Sequence, residues 1–418
     1  MRRNNIVKDT RGKEMEEEKE IAINMMFKCD GEMEQLACYQ YYLEQLKDWT
    51  FVSFVKDFGT KLPDELCKFF GDNFAVINLG CEDNLYAVNK SIYEEMLRTG
   101  KAYFKIDTCI ELDTQAVSYL KNVFREYDEK PDCEGIKDLV DYLQKNNVNY
   151  SCMPYLLENA GKKDSIDPIE CYKNIKSYVL LKAFNCEKMK QNEECVYDKT
   201  EEEILIETDI LYNDFLSDRF VQGQSDLYEI QKIIYVLLMK AICIEFANSK
   251  RSAKNKMMDL VDFVNEKLGI LLERELQICY CYFKHDDRTA KFFRKVQKNS
   301  KELRETINGM AWDLTHIRSI EKDCMTILED DITFAVHVLL TYDNGIKDIL
   351  QINPVDKIAL CKDTVIPKLK NDWFNDMEDV LEKLIENKEK RARVYETRKL
   401  SKLCRETEEE LEKFCVYH

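Results

Sequence analysis

Asp113, Glu158, Asp313 and Asp343 are the residues of this chain whose contexts point to chemistry. Asp113 ends the extended run Tyr103–Leu112, and Asp343 follows the β-branched run Ile332–Leu340. In an open parallel sheet, both would lie outside the carboxyl ends of their strands, where α/β proteins place their sites. Glu158 and Asp313 fall in helical patterns, Pro154–Asn159 and Ala311–His316. Several buried carboxylates repel one another, and a divalent cation removes that penalty. Hard oxygen ligands suit Mg2+ or Mn2+, which also take up phosphate oxygens. A quartet gathered within about 4–8 Å would bind such ions and hydrolyse phosphodiesters.

The elements that must position these residues follow from patterning. Residues 1–20 are charged and aperiodic, so a flexible arm is expected. Residues 21–100 read as a helical region. Leu36, Tyr39, Leu43, Leu46 and Trp49 recur at helical spacing, with the pattern carried as far as Val55. Phe74–Leu79 is compatible with a short strand or a buried helical turn, and the Ser91–Arg98 helix should stop at Gly100. Phe104, Ile106, Ile110 and Leu112 alternate with polar residues, the period of a strand. Helical patterns follow over Thr114–Tyr127 and Glu134–Lys145, then an extended piece at Val148–Ser151, then a helix opened by Pro154. Residues 166–304 are helical by pattern, with Ile230–Phe246 apolar enough for a core helix. Charged helices are expected over 366–418.

Composition narrows the class. The 418 residues carry 62 Lys plus Arg against 79 Asp plus Glu, a net charge of −17. That excludes a surface basic throughout, so any nucleic-acid contact must be a local patch. Only 12 Gly and 6 Pro favour helix. Seventeen scattered cysteines suggest reduced thiols and a cytoplasmic location. No apolar segment follows Arg2 and Arg3, and no run approaches a membrane span, so neither a leader nor a membrane anchor is expected. Phosphate-binding glycine loops, Gly-x-Ser-x-Gly and dinucleotide fingerprints are absent.

Four segments together resemble a known family. Leu112-Asp113-Thr114-Gln115-Ala116 is similar to the opening motif of PIN-domain nucleases, a strand ending in Asp-Thr-Asn before a helix. Leu156-Leu157-Glu158-Asn159 resembles the second motif, a helix-borne glutamate. Trp312-Asp313-Leu314-Thr315-His316 resembles the third, and Leu340-Thr341-Tyr342-Asp343-Asn344-Gly345 the fourth. The chain departs in having Gln115 for the usual asparagine and a long interval between Glu158 and Asp313. The resemblance implies a strongly helix-rich α/β protein. Its PIN-like parallel-sheet core would run over 101–165 and 305–365, with a helical insertion over 166–304 and helical flanks. It further implies an Mg2+- or Mn2+-dependent endonuclease with Asp113, Glu158, Asp313 and Asp343 as ligands. RNA is the expected substrate, single-stranded DNA the alternative, and a toxin or phage-defence role is what such nucleases often have.

Asp107 competes for the first position, since Ile106-Asp107-Thr108 also matches a strand-Asp-Thr pattern; the helix straight after Asp113 favours the latter. Arg288, Lys291, Arg294, Lys295, Lys298, Lys301 and Arg304 recur at three and four, a stripe on a helix leading to Asp313. Lys291, Arg294 and Lys298 could track a phosphate backbone, or simply form a solvated face. His316, one turn after Asp313, could touch phosphate or pack in the core. Cys279-x-Cys281 with His285 lacks a second pair for zinc and reads as buried helix, like Cys186 and Cys195. His337 reads as core. The basic cluster over Lys388–Arg393 and Arg398–Lys399 reads as a surface helix or a docking face for a regulatory protein partner. The competing readings are a catalytically silent helical interaction protein, and a PIN-like domain that has lost its metal.

Overall fold

Apolar runs from both ends of the chain pair into two sheets, and helices cover their faces. The computed structural model describes residues 17–63, 69–70, 74–101, 103–124, 138–140, 142–143, 149–162, 166–185, 196–298, 300–323, 325–327, 333–362, 364–373 and 377–415. The first sheet contains β1 (Thr50–Val55), β2 (Thr60–Lys61), β5 (Asn84–Val88), β10 (Val355–Cys361) and β11 (Thr364–Leu369), in the order β11-β10-β1-β5-β2. The second contains β3 (Phe69–Phe70), β4 (Ala75–Ile77), β6 (Lys105–Leu112), β7 (Asn149–Ser151) and β9 (Thr333–Thr341), in the order β3-β4-β9-β6-β7. A further strand, β8 (Met325–Ile327), also pairs with β9.

The first sheet corrects the expectation of a helical region over 21–100. Every residue of β1 is buried. Phe51 and Val55 pack under the N-terminal helices, while Val52 and Phe54 face the main core. A strand covered on both faces loses the period-two signature, so Thr50-Phe51-Val52-Ser53-Phe54-Val55 reads as the continuation of an apolar helix. Among the described residues of this stretch, helix is confined to 17–28, Glu32–Tyr41, Leu43–Leu46 and Lys90–Thr99. The last stops at Gly100, which takes the left-handed conformation (φ 75°). Residues 1–16 of the expected arm lie outside the described residues, as do Cys186 and Cys195 and much of the helix expected over 134–145.

The second sheet positions the candidate site. β6 runs parallel to β9 over its whole length, Lys105 opposite Thr333 and Leu112 opposite Leu340, and parallel to β7 on its other side. Three strands therefore end at one edge. Beyond them come Asp113 with the helix Thr114–Val123, Asp343 with the helix Asn344–Leu350, and Cys152 with the helix Met153–Gly161. The order of these parallel strands places all three chain reversals on the same rim.

The described residues between 166 and 304 are helices and their connections, with one isolated bridge between Phe184 and Tyr197. The 23-residue helix Ser225–Ala247 is buried along most of its length and packs against Leu303–Asp323, the helix that carries Asp313. A buried ionic network locks Leu303–Asp323 in place. Arg274 donates to Glu321 Oε1 (2.6 and 3.0 Å), and Arg318 pairs with both Glu275 (2.5 Å) and Glu321 (3.0 Å). Among the described residues, no helix is long and apolar enough to cross a membrane.

Candidate functional site

Asp113 and Asp343 are fixed first as helix caps. Asp113 Oδ1 accepts the Ala116 N–H at 2.6 Å, and Asp343 Oδ1 accepts from Gly345 and Ile346. Aspartate suits this position because its carboxylate satisfies N–H groups that the first turn leaves free. Thr341 links the two: its hydroxyl accepts the Asp343 N–H at 2.9 Å and donates to Asp113. Asp113 is buried and Asp343 is exposed. Burial pushes the Asp113 carboxyl up to about 6, against the pull of Thr341, the Ala116 N–H and His316.

Glu158 comes from the helix behind. The Thr114 hydroxyl donates to its Oε2 at 2.5 Å, His316 Nε2 lies 3.5 Å from the same oxygen, and the Lys162 ammonium is 2.5 Å from Oε1. Burial raises this carboxyl, but His316 and Lys162 outweigh it and hold Glu158 ionised down to about 2. Asp313 is placed by helix packing. Gly161 leaves room for the Trp312 ring, because a Cβ there would lie 2.5 Å from it. The Trp312 ring meets Tyr228 edge-on, and the Tyr228 hydroxyl donates to the Leu157 carbonyl at 3.2 Å. Asp313 and His316 share that helix face.

The charges of the other three acids all act on Asp313. Burial, then the charges of Asp343, Glu158 and Asp113, push the Asp313 carboxyl well above its ordinary range, with Lys162 opposing. Among the described residues no hydrogen bond or ion pair offsets this for Asp313. An all-oxygen donor set around one half-buried carboxyl, crowded by three like charges and opposed by Lys162, fits a hard divalent cation. The set is open rather than closed. Among the described residues, only Cys109, Glu111 and His337 bring three ligand atoms within 4.8 Å of one another.

Other expectations fare differently. Asp107 is exposed on β6 and accepts the Thr108 N–H, so it stands apart from the quartet. The basic stripe does not lie on one helix. The helix Asp287–Phe293 ends before Arg294, and the next begins at Leu303. Lys291 pairs with Asp348 at 2.9 Å, Lys298 donates to the Phe246 carbonyl at 2.8 Å, and Arg304 pairs with Glu412 at 2.6 Å. Arg294 and Lys295 are exposed. The Asp287–Phe293 helix nevertheless abuts the rim, since a Cβ on Gly345 would lie 3.0 Å from the Phe292 Cα. Cys279 and Cys281 are buried in the helix Glu273–Phe283, and they form no ligand cluster with His285. His337 is not a core residue: its Nδ1 lies 2.9 Å from Glu111 Oε1.

Lys162 was legible only as a residue one turn after Glu158. Beside it opens a cleft of about 1000 Å3 lined by Gly161, Lys162, Tyr228, Lys232, Tyr235 and Trp312, among others. Comparison with protein-family models, curated proteins and solved structures gave no match.

Proposed function

We propose that this chain is a PIN-like, divalent-metal-dependent nuclease that hydrolyses phosphodiesters in single-stranded nucleic acid, RNA first. The observation that carries the reading is the convergence on Asp313. Three acids from remote parts of the sequence act electrostatically on the half-buried Asp313 carboxyl, with the Lys162 charge opposing them. Asp113, Asp313 and Asp343 would hold Mg2+ or Mn2+, with Glu158 completing the set. Bound there, such a cation supplies Lewis acidity and a water more acidic than bulk water. The chain's own groups do the rest. Thr114 and Lys162 hold Glu158 in place, with His316 buried beside it, where it would steady the carboxylate rather than meet solvent. Lys162 and Lys232 edge a cleft with Tyr228, Tyr235 and Trp312, a combination suited to a phosphate backbone and unstacked bases.

A second reading has its own support. Asp113 and Asp343 both cap helices, and Glu158 is paired with Lys162, so three of the four acids have structural work. On that reading the chain is a metal-free scaffold. Labelled RNA and single-stranded DNA incubated with Mn2+, then with EDTA, separate the two. Cleavage by the wild type that stops with EDTA and is lost in Asp313→Asn supports the nuclease; no cleavage of either substrate supports the scaffold.

A further inference from the structure

On one face of the paired strands β6 and β9, three side chains of unlike chemistry meet. Cys109 and His337 are register partners across the parallel pair, and Glu111 follows two residues on along the same face of β6. Cys109 Sγ lies 3.6 Å and His337 Nδ1 2.9 Å from Glu111 Oε1, and the three ligand atoms all lie within 4.8 Å of one another. Glu111 is only 7% exposed, and its second oxygen, Oε2, is buried without a hydrogen-bond partner. An orphaned carboxylate oxygen is costly in the interior.

We infer that Cys109, Glu111 and His337 form a binding site for a borderline-soft divalent cation of the zinc class, separate from the acid quartet. Thiolate and imidazole select zinc over magnesium. Three protein ligands with a fourth position open is a familiar zinc arrangement. Tetrahedral bonds of about 2.3 Å to sulfur and about 2.1 Å to nitrogen and oxygen put ligand atoms about 3.4–3.6 Å apart. The sulfur–oxygen spacing fits as it stands, and the nitrogen–oxygen pair need open by only about 0.5 Å. Cys109 and His337 are part-exposed, which gives the ion a way in. One thiolate and one carboxylate balance the charge of the ion. Lys182, whose charge reaches Cys109 and Glu111, is engaged with the Tyr150 carbonyl at 2.6 Å. A bound ion would clamp β6 to β9, the two strands whose ends carry Asp113 and Asp343.

Cobalt titration of the metal-stripped full-length protein tests this without reference to nuclease activity. One equivalent of Co2+ should give a thiolate-to-cobalt charge-transfer band with tetrahedral ligand-field bands, and Zn2+ should displace it. Cys109→Ser should abolish the charge-transfer band, and Glu111→Gln and His337→Gln should each weaken binding at least about 10-fold. Asp313→Asn and Cys279→Ser should leave the band unchanged. Zn2+ at one equivalent should raise the melting temperature of the wild type more than that of Cys109→Ser. No band at one equivalent in folded protein, or a band that survives in Cys109→Ser, overturns the site and leaves a hydrogen-bonded trio.

Discussion

Asp113 has two jobs in this account, and substitution can separate them. Its carboxylate caps the helix Thr114–Val123 through Ala116, accepts from the buried Thr341 hydroxyl, and belongs to the quartet. Asp113→Ala loses the cap, about 0.5–2 kcal/mol. It also deprives the Thr341 hydroxyl of its acceptor, about 1–3 kcal/mol for a buried group. The expected loss is therefore about 1.5–5 kcal/mol. Asp113→Asn keeps an oxygen for the cap, and asparagine ranks with aspartate there, so the change should stay within about 1 kcal/mol. Urea unfolding measures both values. Cleavage of labelled RNA with Mn2+ should fall at least about 100-fold in either variant, because direct ligands should matter at least as much as their outer-shell supports. An Asn variant that cuts at the wild-type rate would reduce Asp113 to a cap and refute this assignment.

Other expectations follow from the same geometry. Gly161→Ala drives a Cβ to 2.5 Å from the Trp312 ring, so a loss of about 1–3 kcal/mol is expected, together with reduced cleavage as Asp313 shifts; unchanged urea midpoint and rate would show the packing to be slack. Burial raises Glu321, but Arg274 and Arg318 outweigh it and hold it below its ordinary 4.5. A depressed carboxyl stabilises above its unfolded value, and that contribution drains away as pH falls through the folded value. Wild-type stability should therefore drop below about pH 4.5 more steeply than that of Glu321→Gln; parallel unfolding curves would remove the network from the acid response. Lys232→Glu should weaken RNA binding and flatten its salt slope by about 1, whereas Lys298→Glu, at a lysine tied to the Phe246 carbonyl, should do less. Anisotropy across a salt series decides, and the reverse order would restore the stripe over the cleft.

How much was legible varies by element, for physical reasons. The strand Lys105–Leu112 announced itself because its outer half keeps one wetter face, and Asp113 was marked by the helix directly behind it. Thr333–Thr341 was legible from its β-branched run, and its pairing with β6 is what brings Asp343 beside Asp113. β1 was hidden because both of its faces are covered. β10, at the far end of the chain, pairs with it across about 300 residues, with β11 on the other side of β10, and no local pattern encodes such a contact. The basic stripe failed because spacing of three and four persists in sequence after the helix has ended at Phe293. His337 was misread because an apolar strand conceals which neighbour a single polar side chain will meet, here Glu111 on the adjacent strand.

The central claim is that the quartet holds a hard divalent cation, and Mn2+ binding followed by electron paramagnetic resonance tests it most directly. In a Cys109→Ser background, which removes the proposed thiolate site, the account predicts one or two bound Mn2+ ions per chain, displaced by Mg2+ and lost in Asp313→Asn. Absence of bound ion at millimolar Mn2+, or equal binding after Asp313→Asn, would contradict it.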